Sequence, residues 1–372
     1  MALSVQREVS LFKIETSYGV DAEPAANTNA LLTQPVKQKI ISRSLERNNV
    51  KPYFGAEAPV NIGDGIQLDF VTELKGNGSA GVVPEIGPLF RAANYTEAIQ
   101  SSSGAVAWQG TTAKNLNDKV TPVTPNGYYY LCTTAGTTGG SEPTWPTTDG
   151  QTVADGTVTW TCKKPKVDYD PHSDFATAES GSFYYYFDGK LRKALGCRAN
   201  PKVDMKAGEY VKIAWTLTGI YAGTVDEALV DPTYNQTIPP RLISSSFSID
   251  SYAAVVENIS IDGGNKVVPR SSVNAATGIS EYFIADREVV GSIDPEDVLN
   301  SEKNFESMWS ASSRVAFSAT VGASAGNKCV ITGPKVALKG LDEGERNGLR
   351  TKNIDLVFTP DSGNDEIKFS FQ

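Results

Sequence analysis

The chain has 372 residues, 34 basic against 43 acidic side chains and a formal net charge of −9, a length that suits roughly two or three domains of about 150 residues each. An acidic balance of this size argues against a protein that grips a polyanion by displacing its counterions. With 40% hydrophobic and 21% charged residues, 33 glycines and 20 prolines, the composition favours short strands joined by many turns over helical bundles.

The longest apolar runs are about five residues, as in Phe183 to Phe187, so neither a signal peptide nor a membrane-spanning helix is expected. The four cysteines, Cys132, Cys162, Cys197 and Cys329, are widely spaced and lack a C-x-x-C pair, and His172 is the only histidine. This argues against a Cys/His zinc site and favours cytosolic synthesis with reduced thiols. Cys132 and Cys162 end two aromatic strands and could lie opposite each other, which leaves a bridge open.

In chain order, the first clear strand is Ile66 to Lys75, where Ile66, Leu68, Phe70, Thr72 and Leu74 share a face opposite Gln67, Asp69, Val71 and Glu73. A turn or two of helix follows within Pro84 to Ala93, limited by Pro88. Further strands are expected at Phe183 to Phe187, Glu209 to Leu217, Glu281 to Ile293, Ile354 to Phe358 and Ile367 to Phe371. Asp294-Pro295-Glu296-Asp297 supplies a cap, a helix-compatible proline and first-turn acids, and predicts a helix from about Pro295 to Ser310.

Two helices each follow an alternating strand, and Pro201-Lys202-Val203-Asp204-Met205-Lys206 is echoed by Pro334-Lys335-Val336-Ala337-Leu338-Lys339. The order predicts a duplicated chain: a first copy over 1–235, a second over 236–372, and a small aromatic-rich β-module at 104–164 inserted in the first. The module holds Trp108, Tyr128, Tyr130, Trp145 and Trp160. Trp108, Tyr128 and Trp145 are candidates for stacking on sugar rings, although a small domain also uses such residues to build its core.

Catalytic chemistry finds little material. A nucleophilic triad would need His172, which sits in the turn-rich Tyr169-Asp170-Pro171-His172-Ser173-Asp174 and reads better as a linker histidine. No phosphate-cradling glycine motif is followed by a helix. Acid pairs such as Asp69 with Glu73 or Asp286 with Glu288 read more simply as solvated strand faces than as a carboxylate dyad.

Several collinear motifs carry a family resemblance. Lys13-Ile14-Glu15-Thr16-Ser17-Tyr18-Gly19-Val20-Asp21, Leu45-Glu46-Arg47, Pro52-Tyr53-Phe54-Gly55 and Gly87-Pro88-Leu89-Phe90-Arg91-Ala92 resemble the tail tube (major tail) proteins of long-tailed bacteriophages. So do Phe187-Asp188-Gly189-Lys190-Leu191, Gly196-Cys197-Arg198 and Asp286-Arg287-Glu288-Val289-Val290-Gly291-Ser292. The module resembles small β-domains found inside phage structural proteins, for which surface decoration is the usual inference.

The resemblance implies a mainly β protein: two tandem tail-tube-type β-sandwich or barrel domains, each with a flanking helix, plus the inserted module. It implies a structural, non-enzymatic protein without a cofactor, assembled in the bacterial host cytoplasm and carried in the virion tail. Copies of the chain would form stacked rings, trimeric if each chain fills two of six positions, with tape measure and tail tip or terminator proteins as further partners. DNA would pass through without specific binding, and no membrane insertion is implied.

The stretch Val36 to Gly65 is too long for a plain hairpin loop, and Arg47, Lys51, Tyr53, Phe54 and Glu57 within it are inter-ring contact candidates; its counterpart would be Val256 to Glu281. Asp69 and Glu73, with Asp286 and Glu288 from the second copy, are lumen candidates. A second functional reading is a glycan-binding adhesin or decoration protein of the virion surface, with the module as its active part.

Overall fold

The computed structural model describes residue 4 and residues 7–243, 245–275 and 278–372. The first strands are β1 (Glu8–Ile14), β2 (Ala30–Leu31), β3 (Lys37–Leu45) and β4 (Val60–Glu73), followed by helix α1 (Gly87–Ala92) and β5 (Tyr95–Gln100). The module contributes β6 (Val106–Ala107), β7 (Ala113–Lys114), β8 (Lys119–Thr121), β9 (Tyr129–Thr134), β10 (Gly136–Thr137), β11 (Thr152–Asp155) and β12 (Val158–Lys163). Next come β13 (Lys166–Pro171), β14 (Gly181–Phe187), β15 (Lys190–Lys206) and β16 (Lys212–Asp226). The remainder is β17 (Phe247–Ile249), β18 (Asn258–Asp262), β19 (Asn265–Ser271), β20 (Ile279–Arg287), β21 (Val290–Ile293), helix α2 (Phe305–Ser310), β22 (Arg314–Val321), β23 (Cys329–Arg346), β24 (Leu349–Thr359) and β25 (Lys368–Phe371). The protein is thus mainly β, as its turn-rich composition predicts.

One antiparallel run crosses the molecule in the order β3-β4-β16-β15-β18-β21-β24-β23. Its two longest strands, β15 and β23, do more than one job. The N-terminal half of β15 pairs with β14, and through it with β1 and β2; the N-terminal half of β23 pairs with β22 and β25. A 17- or 18-residue strand cannot stay in one flat layer, and each is broken by a register shift, at Leu195/Arg198 and at Leu338/Gly340. The bend carries each strand from one layer of a sandwich into the other. Gly196 sits in the first of these bulges with φ +60°, where a Cβ would lie 2.4 Å from the ring of Tyr18, so both backbone and space require glycine.

The core lies between the layers. Phe70 of β4 faces Phe183 of β14 across it at 5.3 Å, and Phe358 of β24 faces Phe317 of β22 at 5.2 Å. Helix α1 plugs this core with Phe90, whose ring meets Tyr169 at 4.8 Å, Phe369 at 4.9 Å and Trp215 at 5.2 Å. Leu68 and Phe70 of β4, their β16 partners Leu217 and Trp215, and the flanking Ile66 and Ile213 all point into it. A buried ion pair, Arg287 with Glu366 at 2.5 Å, ties the end of β20 to the segment before β25.

Several expectations need correction. The strand read at Ile66 to Lys75 begins six residues earlier, and half of the expected Val36 to Gly65 loop is the β3–β4 ribbon, leaving residues 46–59 as loop. In its counterpart, Val256 to Glu281, the same holds: β18, β19 and the start of β20 occupy it, and 276–277 fall outside the described residues. The helix expected from Pro295 exists only as Phe305–Ser310, capped by Asn304, whose side chain accepts from the Ser307 amide at 2.7 Å. Its signals were taken by tertiary contacts: Asp294 accepts from the amides of Glu257 and Asn258 at 2.8 Å each, while the backbone at Pro295, Glu296 and Asp297 bonds to Lys352, Val255 and Arg350. Cys132 lies opposite Trp160 and Cys162 opposite Tyr130, two residues out of register, and all four thiols are free and buried.

Phe90 joins aromatic rings from five positions in both sheet layers, so Phe90→Ala should cost about 3–5 kcal/mol of stability, measurable as a lowered midpoint in chemical denaturation; a loss under about 1 kcal/mol would show that this ring is not the keystone of the core.

Candidate assembly surfaces

Antiparallel partners share a face of the sheet, so the register fixes which side chains stand together opposite the core. One row on that polar face reads Lys37, Asp69, Thr216, Asn200. A second runs Val71, Ala214, Lys202, Asp262, Val290, Val357, Ala337, and a third Glu73, Lys212, Asp204, Ser260, Ser292, Asp355. Lysines alternate with carboxylates across strands, and short hydrogen bonds hold them: Gln67 and Thr216 donate to Asp69 at 2.9 and 2.8 Å, and Ser260 to Asp204 at 2.8 Å.

The four lumen candidates therefore divide. Asp69 and Glu73 stand on this shared face, Glu73 also meeting Lys75 Nζ at 3.2 Å. Glu288 precedes β21 and reaches Lys339 of β23 at 3.5 Å. Asp286 instead sits exposed on the β19–β20 hairpin, opposite Lys266.

The edges of the run differ in kind. Lys202–Lys206 of β15 pair with Asn258–Asp262 of β18, which closes the joint between the two halves of the chain. Among the described residues, β3 pairs with β4 alone at one end, and at the other β23 beyond Lys339 pairs only with β24. Each end thus presents main-chain donors and acceptors on one side. Sequence reasoning missed the β15–β18 joint; the polar–apolar alternation of Lys202-Val203-Asp204-Met205-Lys206 marked a strand there but not its partner.

The loop at 46–59 projects from the β3–β4 ribbon and brings the five inter-ring candidates together. Lys51 pairs with Glu57 at 2.5 Å and lies over the Tyr53 ring at 5.3 Å, while Phe54 is fully exposed. Arg47 and Glu57 line a shallow hollow beneath.

In the module a five-stranded sheet, β11-β12-β9-β8-β6, covers a small core of Val120, Tyr130, Cys132, Val158, Trp160 and Cys162. Its organising group is the buried Asp155 carboxylate, which accepts from the indoles of Trp108 at 2.7 Å and Trp160 at 2.9 Å and from the Gly139 amide at 2.7 Å. The Trp145 ring lies 4.2 Å from Tyr130, tilted by 36°, and its indole donates to Glu142 at 2.8 Å, while Tyr128 packs on the same cluster. The three sugar-stacking candidates are thus half-buried, each with a face or edge engaged within the module.

His172 sits at the end of β13 with its backbone bonded to Asn94 and Arg287; burial, then the Arg287 charge, pushes its pKa down. Among the described residues no group of three or more His, Cys, Asp or Glu side chains is arranged to hold a metal.

These surfaces belong to a mainly β sandwich whose long polar-faced sheet ends in two strands with one side open among the described residues. The family model for phage tail tube proteins matches residues 6–360, and the chain belongs to that family. It is a structural protein of the bacteriophage virion tail. No curated protein matches the chain.

Removing the Asp155 carboxylate leaves two indole donors and an amide without an acceptor, so Asp155→Ala should cost the module about 3 kcal/mol. Tryptophan fluorescence should shift to the red at lower denaturant than in the parent, and an unchanged emission transition would refute the clamp.

Proposed function

We propose that three copies of this chain close into a ring and that the rings stack into the tail tube, the conduit through which phage DNA leaves the particle. The observation that carries the reading is the joint inside the chain. Strand β15 pairs with β18, whereas the corresponding edges, β23 and β3, are open. In a ring, the open edge of β23 would take β3 of the next chain, as β15 takes β18, and no edge would remain.

Residues 1–235 and 236–372 then act as two equivalent barrel segments. The β3–β4 ribbon corresponds to β18–β19 with β20–β21, α1 to α2, and β14-β15-β16 to β22-β23-β24. Matching elements are spaced more widely before β5 than after β13, by the length of the module and the β5–β13 ribbon that carries it. A ring of three chains gives six segments and three modules. Copies of the chain, tape measure protein and tail tip or terminator proteins are the partners, with assembly in the host cytoplasm.

On this reading the polar face, with Asp69 and Glu73, lines the lumen, Glu288 lies beside it, and Asp286 is turned away. Carboxylates interleaved with lysines give a hydrated wall of mixed sign, which offers a passing phosphate backbone no continuous cationic track.

A cryo-electron map of the assembled tube should contain three chains per ring, three outer bumps and a ring repeat of roughly 40 Å, set by tilted strands the length of β4. Six chains per ring would overturn the trimer. Replacing both Asp69 and Glu73 by lysine should leave assembly intact and slow DNA ejection, because it adds phosphate contacts; unchanged ejection would remove these residues from the lumen.

A further inference from the structure

A cavity of about 420 Å³ opens between the β19–β20 hairpin and the connector that leads from β13 to β14. Phe175 and Ala178 of the connector and Phe283 and Ile284 of β20 give it apolar walls, with the Phe175 and Phe283 rings meeting edge to face at 5.9 Å. Two polar side chains also line it, and both are almost fully buried: Asn94 is 4% exposed and Arg198 5%. The side-chain amide of Asn265 donates to the carbonyls of Ala93 and Ala199 at 2.9 Å each, which holds the chain at Asn94 close to the chain at Arg198.

Each of these two groups lacks the partner its chemistry calls for. The Arg198 guanidinium donates to the carbonyls of Tyr282 and Glu179 and lies 5.6 Å from the Tyr18 ring. The acids around it are committed elsewhere: Glu179 to Arg91, Glu281 to Arg270, and Glu15 to the Ser180 and Ser182 hydroxyls and the Gly19 and Gly196 amides. Among the described residues no carboxylate forms an ion pair with Arg198. A guanidinium stays charged when buried, and a buried charge without a counter-ion is costly. The Asn94 Oδ1, also buried, accepts no hydrogen bond and is an acceptor left open.

We propose that this cavity binds a hydrophobic amino-acid residue with a free α-carboxylate and an acylated nitrogen. The carboxylate meets Arg198, the N–H donates to the Asn94 Oδ1, and the side chain lies against Phe175, Phe283 and Ile284. A bare α-ammonium is disfavoured beside Arg198 and Arg270, because Glu281 is already paired. The same chemistry is carried by a small N-acyl amino acid and by the last residue of a polypeptide. One chain supplies every group in the site, so binding does not depend on how chains assemble.

Calorimetric titration of the full chain with N-acetyl-L-leucine tests the site. The acid should bind with a Kd below about 1 mM, and its primary amide, which lacks the charge, at least about tenfold more weakly. Phe175 is 62% exposed, so Phe175→Ala removes a wall without opening the core and should weaken binding about fivefold. Asn94→Asp sets an anion in the cavity and should weaken it at least about tenfold. Replacing Arg270 and Glu281 together by glutamine should leave the Kd within about threefold of the parent, because the carboxylate sits on Arg198. An unchanged unfolding midpoint for each variant shows that the losses are local.

A short peptide ending in leucine that binds within about threefold of the acid assigns the site to a chain end; binding of the acid alone assigns it to a small molecule. Equal affinity for acid and amide, or no binding of either, would overturn the proposal. Loss of binding on removing the Arg270–Glu281 pair would place the carboxylate away from Arg198 and overturn it as well.

Discussion

Main-chain hydrogen bonding at the strand edges is the constraint on which the rest of this structure depends. Every peptide group in a sheet interior is paired, and an open edge exposes a row of donors and acceptors that must find water or another strand. Here the chain satisfies one such edge with itself, β15 against β18, and leaves β3 and the far part of β23 open. The long, bulged strands β15 and β23 follow from the same need: each supplies an edge to the polar-faced layer at one end and holds the covering layer at the other. Helix α1 and the Phe90 cluster then lock the two layers together, so the exposed edges are carried on a rigid body.

The polar face shows how sheet register turns a linear pattern into a surface. Asp69 and Lys37 are far apart in sequence yet adjacent across β3 and β4, and Lys202 and Asp262 meet across the internal joint. Alternating signs across neighbouring strands gain cross-strand attraction and keep the local field small. A net charge of −9 therefore says little about any one face of the molecule.

Much of the fold was legible because period-2 alternation survives wherever one face is buried and the other wet, as in Ile66 to Glu73, Lys212 to Leu217 and Ile354 to Phe358. The signal fails where tertiary contacts compete with local ones. Asp294 to Asp297 carries the chemistry of a helix start, yet its carboxylate caps the chain at Glu257 and Asn258, and the expected helix shrinks to its last turns. The β3 strand escaped notice because Lys37 to Leu45 has one covered edge and little buried surface, so no apolar stripe marks it. The module's indoles could be read as either exposed or core, and only Asp155, distant from Trp108 in sequence, decides how they are held.

The joint between β15 and β18 has a kinetic meaning as well as a structural one. Two segments tethered through the packed connector, where Leu229, Val230 and Tyr234 rest against Tyr184 and Tyr186, meet at an effective concentration fixed by the chain rather than by expression level. Half of the joints in a closed ring of three such chains are then made at synthesis and cannot come apart by dilution. Under the proposed three-chain ring, closure would be a third-order event in protein rather than a sixth-order one, a difference that would matter most when subunits are scarce. In the proposed ring the two segments of a chain would not be equivalent, so one would carry a module while its partner kept an unencumbered wall.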